Sequence, residues 1–163
     1  MTDRSSLISR FDLLLPLAVE WATSEEGRIL RDGVALTDEE KATACSVGVR
    51  QPERVRLLQV KAMPRPAQEA LQSACDAINF LTPATRGLAL GYGIFLRTDC
   101  GRERELVAHE LVHTAQYERL GGIEFFLRQY LMECLTVGYP ESPLEREAVS
   151  KSAGVHLDVG TVR

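Results

Sequence analysis

The sequence predicts an α+β fold, a mostly helical single domain with a small sheet beside one central helix. Three observations carry this. Apolar residues recur at three- and four-residue spacing over most of the chain, and most densely in its second half. Two short runs, residues 54–61 and 87–97, are rich in β-prone residues. No repeat, linker or low-complexity stretch divides residues 1–163, a length that one domain fills with its own core.

The elements follow in order. Leu7, Ile8, Phe11, Leu14, Leu15 and Ala18 have helical spacing over residues 5–22, and Pro16 is expected to kink or split that helix. Thr37 and Glu40 stand at capping-box spacing and open a second helix, which Val47-Gly48-Val49 ends. Residues 54–61 form a strand, closed by Met63-Pro64-Arg65-Pro66. A third helix runs from about residue 66 to 80, with Leu71, Ala74, Cys75 and Ile78 on one face. Residues 87–97 form one strand or a tight hairpin, with Gly91 and Gly93 marking a bulge or a close backbone approach. Helices then cover residues 102–120, ended by Gly121-Gly122, and 123–137, ended by Gly138-Tyr139-Pro140. Ser142 as cap and Pro143 at the first helical position start a last helix through about residue 153. Phe125, Phe126 and Tyr130 read as a core stripe.

Composition excludes several classes. A net charge of −4 argues against nucleic acid, whose binders need a basic surface to neutralise phosphates. The basic run at residues 50–56 is broken by Pro52 and Glu53 and reads as a solvated face. The apolar stretch Leu13–Val19 is flanked by acids and is too short for a membrane span, so a cytoplasmic protein without a membrane partner is expected. Cys45, Cys75, Cys100 and Cys134 are too widely spaced for a zinc ribbon or a redox pair. They read as buried, reduced thiols.

Chemistry concentrates in His109-Glu110-Leu111-Val112-His113. Residues four apart on a helix share a face, so His109 and His113 can hold one metal between them. Zinc takes neutral imidazole nitrogens and, in catalytic sites, three protein ligands. Glu110 follows the first histidine and belongs beside the attacking water, as general acid and base. Metal-activated water attacking an amide carbonyl is the reaction this implies. Chance yields such a motif roughly once per two hundred chains of this composition, which favours a site over two incidental histidines.

The third ligand lies downstream. Glu118 and Glu124 come too soon for the chain to reverse across the site, and the surroundings of Glu133 read as packing. Glu145 stands on a new helix after a turn and is the preferred ligand, although its spacing from Ser142 also fits a cap. Glu147 and His156 remain alternatives. Gln116 reads as a surface residue, with the rim of the site as the second option. Tyr117, Tyr130 and Tyr139 are candidates to stabilise an oxyanion, or half-buried aromatics.

Residues 87–148 resemble the gluzincins, the zincins with a glutamate as third ligand, and in particular small bacterial proteins of that kind. Gly91-Tyr92-Gly93-Ile94, the run from His109 to Tyr117, Gly138-Tyr139-Pro140 and Pro143-Leu144-Glu145-Arg146-Glu147-Ala148 carry the resemblance. It implies a zincin-like domain whose metal-site half spans about residues 87–153. Zn2+ would be held by His109, His113 and Glu145, with Glu110 as catalytic base and a peptide or protein as substrate. It also implies that the strand near residues 88–96 borders the cleft and pairs with an extended peptide. Val149 departs from the pattern, because an Asp or Asn that would orient a zinc histidine is missing there. That departure keeps open a binding or regulatory module without turnover. A purely structural metal site, with Cys134 as a further ligand, is the third possibility.

Overall fold

The computed structural model describes residues 4–155; His156, the alternative third ligand, lies outside them. Seven helices and four strands are present among the described residues. In chain order they are α1 (Arg4–Ser9), α2 (Phe11–Asp32), β1 (Val34–Ala35), α3 (Asp38–Ser46), β2 (Arg56–Val60), α4 (Glu69–Ala77), β3 (Gly87–Leu90), β4 (Gly93–Arg97), α5 (Arg104–Leu120), α6 (Ile123–Thr136) and α7 (Pro143–Gly154). The fold is therefore α+β, as expected, with short 3-10 turns in three of the connections.

The sheet has the order β1-β2-β4-β3. β2 and β4 run parallel, while β1 and β3 are antiparallel edge strands. The run at 87–97 is thus a two-residue hairpin turning at Gly91 and Tyr92. Gly91 adopts φ 62°, a left-handed conformation that costs glycine little. The Glu26 carboxylate of α2 accepts from the Tyr92 N–H at 2.9 Å and so fastens the turn. Ile94, Phe95 and Leu96 of β4 are fully buried, which accounts for the unbroken apolar run.

Three elements differ from expectation. The N-terminal helix breaks at Arg10, not at Pro16, and continues to Asp32. Pro16 removes one N–H from the helix, but Leu14, Leu15, Ala18, Ala22 and Ile29 are all buried along α2, and that packing outweighs a single lost bond. α4 is shorter than expected at its C-terminal end because Asn79 and Leu81 have φ near +55°, which the right-handed helix cannot continue. Phe125 is 59% exposed and not part of the core. Phe126, one position on, faces inward with Tyr130, while the Phe125 ring lies over Gly121.

The capping box on α3 is present, with Thr37 accepting from the Glu40 N–H and Glu40 accepting from the Thr37 N–H. All four cysteines are free thiols, but Cys45 is exposed and Cys100 half-buried; Cys75 and Cys134 alone are buried. No helix among the described residues is long and apolar enough to cross a membrane.

The hairpin packs tightly on α2. A Cβ at Gly93 would stand 2.9 Å from the Ile29 side chain, and Ile29 is fully buried. Gly93→Ala is therefore expected to destabilise the protein by about 1–3 kcal/mol through overpacking. Urea denaturation checks this, and an unchanged midpoint would refute it.

Candidate metal centre

The histidines sit on α5, the most enclosed helix of the fold. Val107, Ala108, Leu111, Val112 and Ala115 are buried along it, and Tyr117 and Thr114 are buried as well. Gly121, at φ 102°, ends the helix, and its N–H and that of Gly122 both donate to the Tyr117 carbonyl. α6 then returns with Phe126 and Tyr130, whose rings meet the His113 ring edge-on at centroid distances of 6.0 and 5.8 Å. These contacts limit the rotamers open to His113.

α7 brings the carboxylate. Ser142 caps it by accepting from the Glu145 N–H at 3.2 Å, and Leu144 and Ala148 bury its inner face. The Glu145 carboxylate does not fold back onto the cap. It faces α5, with Oε1 3.0 Å from His109 Nε2 and Oε2 3.2 Å from His113 Nε2. The two Nε2 atoms are themselves 3.2 Å apart. Ligands at zinc distances in a tetrahedral shell lie roughly 3.3 Å from one another, so this spacing fits one ion. His109, His113 and Glu145 form the one group of three or more such donors among the described residues that could hold a metal.

The tautomer of His113 follows from its neighbours. Gln116 Nε2 donates to the Leu144 carbonyl at 2.9 Å and to Glu147 Oε2 at 3.0 Å. Two acceptors fix the amide nitrogen on that side, so Gln116 Oε1 must face His113 Nδ1, 2.8 Å away. The hydrogen of a neutral His113 ring is then on Nδ1, and its Nε2 presents a lone pair to His109 and Glu145. Three electron-rich atoms thus converge in a buried space. A cation satisfies all three at once; a proton satisfies one pair.

Electrostatics agree with that description. Burial opposes ionisation of Glu145, but the His109 and His113 rings that face it outweigh burial and hold the carboxyl well below its ordinary range. Burial likewise opposes protonation of His109, yet Glu145 and Glu110 raise its pKa. Glu110, only 5% exposed, is shifted opposite to Glu145: burial raises its pKa, against the lowering effect of both histidines. Its carboxylate accepts from the backbone of Ala89 on β3 and lies against Gly87, where a Cβ would come within 2.5 Å of Oε1.

Several expectations change here. Gln116 is fully buried and is not a surface residue. It orients His113, a task that the apolar side chain of Val149, 56% exposed, cannot perform. Glu147 is engaged by Gln116, Arg119 and Lys151, not by the histidines. Tyr130 and Tyr139 donate to the two oxygens of Glu145, and Tyr117 donates to the Ala89 carbonyl, so all three phenols already have partners. Cys134 is buried, with its thiol pushed up to about 12 by burial and by Glu145, and it stands outside the donor group. Glu133 accepts from the Leu144 N–H, a packing role.

Two outcomes are expected. Gln116→Ala removes the partner of His113 Nδ1 and should weaken metal binding about 10- to 100-fold, measured by competition with a chelator; unchanged affinity would contradict the orienting role. Glu147 is lowered to about 2, first by its bond to Arg119, with Lys151 and Gln116 adding to it. A lowered carboxyl stabilises the fold above its ordinary range, and that contribution is lost as pH falls towards 2. Glu147→Gln should therefore flatten the acid limb of the stability curve; an unaltered limb would show the bridge to be inert.

No protein-family model, no curated protein and no solved structure matches this chain, so its own side chains carry the functional reading.

Proposed function

We propose that the protein is a zinc-dependent hydrolase of amide bonds, a peptidase in the first instance, built on a zincin-like domain. The observation that carries this is the convergence of His109, His113 and Glu145 with the buried Glu110 next to them in sequence. The two imidazoles and one carboxylate match the donor set zinc takes in open sites. When bound, zinc supplies Lewis acidity, making water a better nucleophile and a carbonyl a better electrophile.

The chain's own residues do the rest. Gln116 keeps the His113 Nδ1 proton in place and so keeps its Nε2 free for a cation. Tyr130 and Tyr139 hold both oxygens of Glu145. Glu110, with its pKa raised by burial, can take a proton from the attacking water and deliver it to the leaving nitrogen. Gly87 leaves room for that carboxylate at the edge of β3. The resemblance to gluzincins supports the same assignment of roles. A module without turnover was suggested by Val149; Gln116 supplies the missing support, and a base at Glu110 serves no purpose in a site that only binds.

The test combines metal content with turnover. Wild-type protein should hold one zinc per chain, Glu145→Ala should lose it, and Glu147→Ala should keep it. Glu110→Gln should keep zinc and lose about 10²- to 10⁴-fold in hydrolysis of a peptide library. Gly87→Ala should also keep zinc, because its Cβ displaces only Glu110, and should lower turnover. Zinc absent from the wild type after zinc has been offered would end this reading.

A further inference from the structure

The candidate centre opens into a cavity of about 550 Å³. His109, Glu110, His113 and Glu145 line one part of it, and Leu14, Leu15, Ile78, Leu131 and Leu135 line another. An apolar cavity of about 150 Å³ holds a benzene molecule, so this one has room for several such groups. Protein interiors keep few voids larger than a water molecule, and water enters only where polar partners receive it. Aliphatic side chains from α2, α4 and α6 give none. Of the cavity's polar residues, Arg86, just before β3, and Glu103, just before α5, are already paired with each other.

A second observation bears on what fills it. An extended peptide would pair with the outward backbone groups of the edge strand β3. At Ala89 both are taken, the N–H by Glu110 and the carbonyl by Tyr117 at 3.1 Å. Asn79, Thr82 and Thr85 line another part of the cavity, but the aliphatic walls from α2, α4 and α6 offer a peptide backbone no side-chain partner, and buried amide groups without partners are costly. An aliphatic chain needs none.

We infer that the cavity receives a long aliphatic acyl chain, so that the amide presented to the centre joins a fatty acyl group to an amino acid or peptide N-terminus. This rests on the hydrolase reading for the chemistry, but not for the binding. In the reaction, water's oxygen forms the new C–O bond and the C–N bond breaks. One water proton travels through Glu110 to the departing nitrogen. The other is released from the fatty acid, which leaves as a carboxylate, and is taken up by the amine at neutral pH.

Trp21 lines the cavity and is the chain's one tryptophan, so its emission reports occupancy. Zinc-free Glu110→Gln protein, which cannot turn over, is titrated with N-hexanoylglycine and N-dodecanoylglycine. Full burial of a methylene strengthens binding roughly fourfold, so the six further methylenes of the longer probe allow a gain of up to roughly 4000-fold, and a gain above roughly a hundredfold is expected. Ala74→Phe, which fills the cavity from α4, should weaken the dodecanoyl probe more than tenfold; if that variant does not fold, Leu131→Gln is the substitute. Affinity independent of chain length, or tighter binding of N-acetyl-Leu-Leu-amide, would overturn the acyl assignment. Zinc-loaded wild type then separates the two readings. Chain-length-dependent binding without release of dodecanoate supports the acyl site and sinks the hydrolase. Peptide cleavage without chain-length dependence keeps the hydrolase and sinks the acyl site.

Discussion

Docking of α7 against α5 is the constraint on which the site depends. Two histidines on one helix offer two donors to the candidate metal centre, and the third donor, Glu145, comes from α7. Leu144 and Ala148 bury the inner face of α7, and the Gln116 amide reaches across to the Leu144 carbonyl and the Glu147 carboxylate. These contacts set the height and rotation of α7 at which Glu145 meets both imidazoles. A slip of one residue along α7 would turn Glu145 away by about 100°. The apolar packing and the polar bridge must therefore hold together.

The site also shows how a buried polar cluster remains tolerable. Glu145, His113, Gln116 and Thr114 are all withdrawn from solvent, and each has a partner. Burial pushes Glu110 towards its protonated form while the histidines pull Glu145 towards its ionised one. Two carboxyls of one site are thus driven in opposite directions by their surroundings, one towards holding a proton and the other towards holding a negative charge.

Much of this was legible in the sequence, and the limits are physical. The capping box on α3, the glycine end of α5 and the Ser-Pro start of α7 depend on neighbours within four residues, so local spacing exposes them. Pro16 misled because tertiary burial of α2 outweighs one missing hydrogen bond, and burial has no local signature. Phe125 and Phe126 could not both face α5, since adjacent helical positions diverge, and the pattern alone did not say which one would. Gln116 was within reach: it stands three residues after His113, where helical side chains meet, but a helical glutamine suits a surface equally well and its burial has no local signature. The turn before a new helix pointed to Glu145 and left Glu147 open, because the aim of Glu145 at both histidines depends on how α7 docks on α5. The cavity, drawn from α2, α4, β3 and α6, has no motif.

The contacts between α5 and Ala89 have a consequence for the edge of the sheet. β3 is an outer strand, and a bare outer strand is a template on which another chain can add by backbone pairing. Glu110 and Tyr117 cover the middle of that strand with side chains of the same helix that holds the histidines. The carboxylate proposed for proton transfer thereby also occupies a pairing position of the sheet edge, so a substitution at Glu110 would bare the Ala89 N–H as well as remove a base.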